Sequence, residues 1–178
     1  MNCEKDINDI NDINDINDIN DINISFITKY KDKFLEEEDI NIIIKYYLNI
    51  ITNDYKYDTN FESYYHVNGC TISIEDYIKR LFMNLNISKN LMIASLIYID
   101  RLKIKFNNYN CHKLVLISLL IANKFLEDDN MNNKFWADCG GISLNYLNKL
   151  ERKFLKKINY ILYIQEEEFI NKCEEIFK

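Results

Sequence analysis

The chain has no proline and only three glycines among its 178 residues. Polypeptides punctuated so rarely favour long helices over turn-rich β architecture. Histidine is scarce too: His66 and His112 are the only two, and neither stands at zinc-finger spacing from a cysteine. The five cysteines (Cys3, Cys70, Cys111, Cys139, Cys173) are odd in number and widely scattered, with no C-x-x-C. That pattern excludes a disulfide framework and reads as the packed, reduced thiols of an intracellular protein, in the nucleus, the cytoplasm or both. No apolar run reaches the length of a membrane span, and "MNCEKDINDIND" lacks the apolar core of a secretory signal. Also missing are a G-x-G-x-x-G, a P-loop and a nucleophile elbow. The expectation is therefore a protein that is not an enzyme, with no catalytic residue, no cofactor, no metal and no membrane partner.

Excess positive charge is missing as well. The formal net charge is −6, and residues 1–23 account for all of it, with Glu4 and six aspartates (Asp6, Asp9, Asp12, Asp15, Asp18, Asp21) against Lys5 alone. The other 155 residues are neutral, so the body lacks the electrostatic footprint of a general nucleic-acid binder. Residues 6–23 read "DINDINDINDINDINDIN". A period of three matches neither the 3.6 of an α-helix nor the 2 of a strand, so isoleucine gathers on no stable face of either. Residues 1–24 read as a low-complexity disordered tail, with a partner-binding segment as the other option.

What is abundant is apolar sequence at helical spacing. The tract from Ile40 to Ile51, opening "INIIIKYYLNI", reads as a helix covering the domain, and 52–70 as a loop, so 25–70 form an N-terminal helix and loop ahead of a domain at 71–178. Ser73 and Asp76 have capping-box spacing before "YIKRLFMNL". Further helices start after Ser88, after Asn110, after Asn132 or Asn133, and after Ser143, and a last one spans "EEEFINKCEEIF" with its acids at the N-terminal end. Gly140-Gly141 suit left-handed turn conformations at a helix end. The tract at 111–126 is apolar all round, which only a central helix tolerates. The expected fold is all-α, five helices around one buried helix, with flanking N- and C-terminal helices. The "EEE" runs at 36–38 and 166–168 read as helix-start acids, and Trp136 as a core anchor.

Two charges disturb the apolar pattern. Lys124 interrupts "LLIANKFLEDD" near the end of the central tract. In the segment 143–160, Leu144, Leu147, Glu151, Phe154 and Ile158 recur at steps of three and four, which places a carboxylate inside an apolar stripe. Neither charge is affordable alone in a core, so Lys124 is expected to meet Glu151 at its edge. On the residues alone, the pair is either an internal ion pair or a group of charges offered to a partner. Lys149, Arg152, Lys153, Lys156 and Lys157 form a basic stripe turned away from Leu147 and Phe154, either a solvated face or a docking place for an acidic substrate. "RKFL" at 152–155 fits a short degradation pattern but lies within an expected packed helix, and we set it aside.

The segments "ISIEDYIKRL", "ASLIYIDRL", "LISLLIANKFLEDD" and "FWADCGGISLNYLNKLERKFLKKINYILYIQEEEF" stand in an order and spacing that resemble the cyclin box of P/U-type, phosphate-regulon-like cyclins, over about residues 71–170. The resemblance implies a five-helix cyclin box that binds and activates a cyclin-dependent protein kinase as the regulatory half of a heterodimer, in cell division or nutrient signalling. It further implies that Lys124 and Glu151 hydrogen-bond the kinase backbone around its αC helix. Ile121, Phe125 and Leu155 would then belong to the apolar groove receiving that helix. Retention of the fold as a non-activating adaptor is the alternative. Thr71 stands where the family commonly has proline, and Asn159 where aspartate is frequent. "DYIKRLFMNL" does not match the hydrophobic docking motif of A-type cyclins, and the length holds one box.

Overall fold

The computed structural model describes residues 39–51, 71–85, 87–128 and 130–178. The DIN repeat, the loop expected at 52–70, His66, Cys3, Cys70 and the acids at 36–38 lie outside the described residues. Within them are seven α-helices and no strand: α1 (Asp39–Ile50), α2 (Ile74–Leu85), α3 (Lys89–Leu102), α4 (Cys111–Leu126), α5 (Asn133–Gly140), α6 (Leu144–Lys157) and α7 (Glu166–Phe177).

Local chemistry sets most of the helix starts. Ser73 Oγ accepts from the Asp76 amide at 3.0 Å and donates to the Asp76 carboxylate at 2.7 Å. The box therefore closes through the two side chains, without the reach back to the first amide. Ser88, Asn132 and Ser143 each accept from the amide three residues on, at 3.3, 3.0 and 3.3 Å, which satisfies one of the orphan donors of a first turn. Asn110 departs from expectation. Its backbone is already helical, and its side chain accepts from the Asn107 amide at 2.9 Å and donates to the Lys105 carbonyl at 2.8 Å. It builds the turn between α3 and α4 instead of capping α4.

Helix α4 is central, as its all-round apolar sequence requires, with twelve of its sixteen residues buried. It is not alone there: α3 has eleven of fourteen buried, and the two pack along each other at the heart of the domain. The expected single buried helix is thus a buried pair. Helix α3 hides this in sequence because Asn90 and Ser95 lie among its apolar residues, and both are buried. Ser95 settles its hydroxyl on the Met92 carbonyl at 2.8 Å and on the hydroxyl of Tyr47 from α1. Around the pair, α2 contributes Tyr77, Ile78, Leu81 and Leu85, and α6 contributes Leu147, Leu150 and Phe154. Trp136 of α5 is 1% exposed, the core anchor expected.

The two adjacent glycines do different work. Gly141 is left-handed at φ 68°, with Ile142 N–H reaching the Ala137 carbonyl at 3.0 Å, a Schellman end to α5. Gly140 has no positive φ; a Cβ there would lie 2.3 Å from Leu116 Cδ2, so its small size lets α5 press against α4. Helix α6 ends at Lys157, earlier than the apolar stripe suggests, although Ile158 is still buried. Asn159 and Tyr160 are then both left-handed, at φ 54° and 58°, and Tyr160 N–H bonds the Leu155 carbonyl at 2.9 Å. Asparagine tolerates that conformation better than most residues, which gives Asn159 a turn-forming use of its own.

The segment after that turn is held from α3. Arg101 donates to the carbonyls of Ile161 and Tyr163, both at 2.8 Å, and grips both oxygens of Glu168 at 2.6 and 3.1 Å. Tyr98 donates to the Leu162 carbonyl between them at 2.8 Å. Helix α7 is tied down further along by Lys172, which sits 2.7 Å from Asp100, 2.5 Å from Glu175 and over the ring of Tyr46. Three helices, α1, α3 and α7, meet at that one ammonium group.

Candidate functional site

Lys124 lies in the last turn of α4, where the central helix leaves the core. Its Nζ is 2.6 Å from Glu151 Oε1. The lysine side chain is 36% exposed and the glutamate 15%, so the pair sits at the rim of the core with the ammonium outermost. The two charges that break the apolar pattern therefore meet, across 27 positions of sequence.

A third helix completes the arrangement. Asn133, the first residue of α5, donates from Nδ2 to Glu151 Oε2 at 2.9 Å and to Asn148 Oδ1 at 2.7 Å. Both carboxylate oxygens are thus occupied, which holds Glu151 in one orientation. Lys124 has three N–H donors, and Glu151 takes one. The other two take no acceptor in this cluster, on a side chain that is partly exposed.

The apolar residues assigned to the site divide in two. Phe125 and Leu155 are half-buried against the core and offer surface. Ile121 is only 2% exposed; one turn before Lys124, it still faces inward and offers no surface. Sequence reasoning missed Asn133 and Asn148. Asn148 had a weak signal, lying three residues before Glu151 on the same helix, whereas Asn133 had none in a chain so rich in asparagine. It also missed Met131 and Phe135, 40% and 42% exposed, each two residues from Asn133 in sequence.

Of the basic stripe, Lys149, Arg152, Lys156 and Lys157 are exposed and Lys153 is half-buried. All five are carried by α6, the helix of Glu151, with Arg152 next to it in sequence.

The arrangement suits binding better than bond-making. His112 is buried beneath α2, with Nε2 3.0 Å from the Ile72 carbonyl and its ring edge-on to Tyr77. Burial lowers its pKa, opposed by the Ile72 hydrogen bond. Burial raises the Cys173 thiol to about 11 and pushes Cys139 up as well, away from the thiolate form that a nucleophile needs. Among the described residues no group of three or more His, Cys, Asp or Glu could hold a metal ion, and no helix is long and apolar enough to cross a membrane.

Comparison with known proteins gives the family. The cyclin family model matches residues 23–162. Cyclin-U4-3 of Arabidopsis thaliana is 37% identical over 108 residues, covering 58% of this chain and 49% of the relative. Cyclin-P4-1 of Oryza sativa subsp. japonica is 36% identical over 107 residues, 57% of this chain and 50% of the relative. Cyclin-U4-1 of Arabidopsis thaliana is 34% identical over 104 residues, 56% and 52%. The chain spans about half the length of these curated relatives. It belongs to the cyclin family, and its relatives lie among the plant P/U-type cyclins.

Proposed function

We propose that this cyclin-family chain is the regulatory subunit of a cyclin-dependent protein kinase and activates it by packing against the αC helix. The observation that carries the reading is the Lys124–Glu151–Asn133 cluster: a fixed, rim-exposed set of charges where three helices converge, bordered by half-buried Phe125 and Leu155. An ion pair needed only for the fold could be sealed; this one keeps its ammonium open beside an apolar surface.

Protein kinases transfer phosphate only when the β3 lysine–αC glutamate pair is assembled. A partner that binds the inward position of αC more tightly than the outward one shifts the population by that difference in affinity. Moving a kinase from about 1% to about 99% active requires a preference of roughly 10⁴-fold. The phosphoryl-transfer chemistry remains the kinase's, so this chain needs no catalytic group. The groove takes the helix, while the Lys124 donors find backbone carbonyls at its end. A stable pair would bury on the order of 1,600 Å² in total.

The test is purification of the tagged full chain from its native cells, identification of any bound kinase, and assay of that kinase with and without added chain. A bound kinase whose activity rises at least tenfold with the chain supports the proposal. A bound kinase that is not activated points to an adaptor, and no kinase bound to a folded chain refutes the reading.

A further inference from the structure

The basic face of α6 has no part in holding αC. This helix carries five cations and one acid, and the acid, Glu151, is already engaged by Lys124 and Asn133. Elsewhere exposed lysines pair with an acid one turn away: Lys79 with Glu75, Lys134 with Asp138, Lys178 with Glu174. Lys153 and Lys157 have interactions of their own, which leaves Lys149, Arg152 and Lys156, all exposed and without a salt bridge among the described residues. Like charges one turn apart repel. The helix dipole offsets that for Lys156 in the last turn, but Lys149 and Arg152 have neither the dipole nor an acid three or four positions away.

The three cations form one row beside the surface assigned to the kinase. At 3.6 residues per turn, Arg152, Lys156 and Lys149 lie about 60°, 100° and 120° round the helix from Leu155, and Glu151 about 40° round on the other side. The row is about 10.5 Å long at 1.5 Å per residue, with Arg152 between the two lysines. It thus borders the Glu151–Leu155 side of α6 and belongs to another face of the same helix. We infer that this row recruits the kinase's protein substrates by an acidic segment, a short run of aspartate and glutamate laid along Lys149, Arg152 and Lys156. The inference rests on the kinase reading and adds to it the class of substrate.

Charge and size match such a segment. An extended peptide rises about 3.3 Å per residue, so roughly three to four residues span the row. The Arg152 fork can take a carboxylate through two parallel hydrogen bonds, while the lysines on either side act as point charges that tolerate variation in spacing. Residues 24–178 carry no net charge, so the positive field is local to this face and does not suit a nucleic acid. Exposed ion pairs are individually weak, and the row holds a free segment only loosely. On a substrate already at the kinase's active site the same contact acts at an effective concentration of about millimolar. It lowers KM without entering the chemistry.

The experiment has two arms, both with the full chain. In the first, a peptide carrying five glutamates is titrated into the chain alone at about 50 mM salt, where charges interact over more than 10 Å. Amide shifts should concentrate at 149–156. Binding should weaken at least tenfold in Lys149→Ala/Arg152→Ala/Lys156→Ala, whose helix survives because alanine is the best helix former. It should change less than twofold in Lys45→Ala/Lys134→Ala/Lys178→Ala, which removes the same charge from exposed lysines elsewhere. In the second arm, the complex with the co-purified kinase phosphorylates two peptides that share one acceptor site and differ only in a tail of five glutamates or five glutamines. The acidic peptide should have a KM at least fivefold lower at equal kcat, and the α6 variant should erase that difference. Equal KM values with the wild-type complex would overturn the proposal, as would equal weakening of peptide binding by the two triple variants. If no kinase is bound, the substrate role falls with the kinase reading, and the first arm tells that failure from a failure of the α6 face itself.

Discussion

Exchanging the two charges at the rim of the core, Lys124→Glu with Glu151→Lys, separates an ion pair that merely holds the fold from one that meets a kinase. The single change Glu151→Lys comes first. It removes the 2.6 Å contact with Lys124 and the acceptor that Asn133 uses at 2.9 Å, and it sets two ammonium groups side by side. Two like charges about 4 Å apart repel by about 1 kcal/mol in water and about 4 at an effective dielectric of 20. Because Lys124 is 36% exposed, solvent screening keeps the cost toward the lower part of that range. With the loss of the Asn133 hydrogen bond, about 1 kcal/mol, the single variant should lose about 2–3 kcal/mol. For a chain of this length that is a fall in Tm of roughly 5–10 °C.

The exchanged double variant restores an attractive pair at the same place, so its stability should return to within about 1 kcal/mol of wild type. Kinase binding should not return. The groups offered to the partner now carry the opposite charge, and disrupting a buried interfacial charge typically costs about 2–5 kcal/mol, a loss of about 30-fold to several thousand-fold in affinity. Thermal melts and calorimetric titration with the co-purified kinase, run on the three proteins side by side, give both readouts. Wild-type affinity in the exchanged variant would refute the assignment of Lys124 and Glu151 to the interface. A double variant as unstable as the single would show that the loss comes from the Asn133 contact and not from the repulsion of two ammonium groups.

Three further outcomes follow from the packing. Gly140→Ala should cost about 1–3 kcal/mol in urea denaturation, since the new methyl meets buried Leu116 at 2.3 Å and overpacks the α4–α5 contact. Arg101→Leu should raise hydrogen exchange at 161–168 and through α7 well before the global core is affected, because one guanidinium holds two carbonyls and Glu168; unchanged exchange there would show that the clamp is redundant. His112 has a pKa lowered by burial despite its bond to the Ile72 carbonyl, so the folded state prefers it neutral. That preference contributes fully above the unfolded value of about 6.5 and declines as pH falls through it toward the folded value. His112→Gln, whose amide still reaches for the carbonyl, should therefore lose more stability relative to wild type at pH 7.5 than at pH 5.5; an equal loss at both would contradict the assignment.

The sequence by itself determined what depends on near neighbours and on period. The caps at Ser88, Asn132 and Ser143 act within three residues, so a local reading finds them. The all-round apolar tract at 111–126 demanded a central place, and the scarcity of proline and glycine an all-helical body. Even one long-range contact was legible, because Lys124 and Glu151 were each an anomaly in an apolar pattern and low-dielectric burial leaves such charges one economical escape, which is each other.

Only the tertiary structure decided what depends on how helices meet. Helix α3 shares the centre, and its buried Ser95 finds the Tyr47 hydroxyl of α1 across a contact that its own sequence does not announce. Ile121 faces inward, and Gly140 is small for Leu116's sake, since both depend on the angle at which neighbouring helices press against α4. Asn133 joins Glu151, and Arg101 collects two carbonyls some sixty residues away, because a hydrogen bond is directional and short. Periodicity shows which way a side chain points along its own helix; it does not show which atom of another helix will lie 3 Å away.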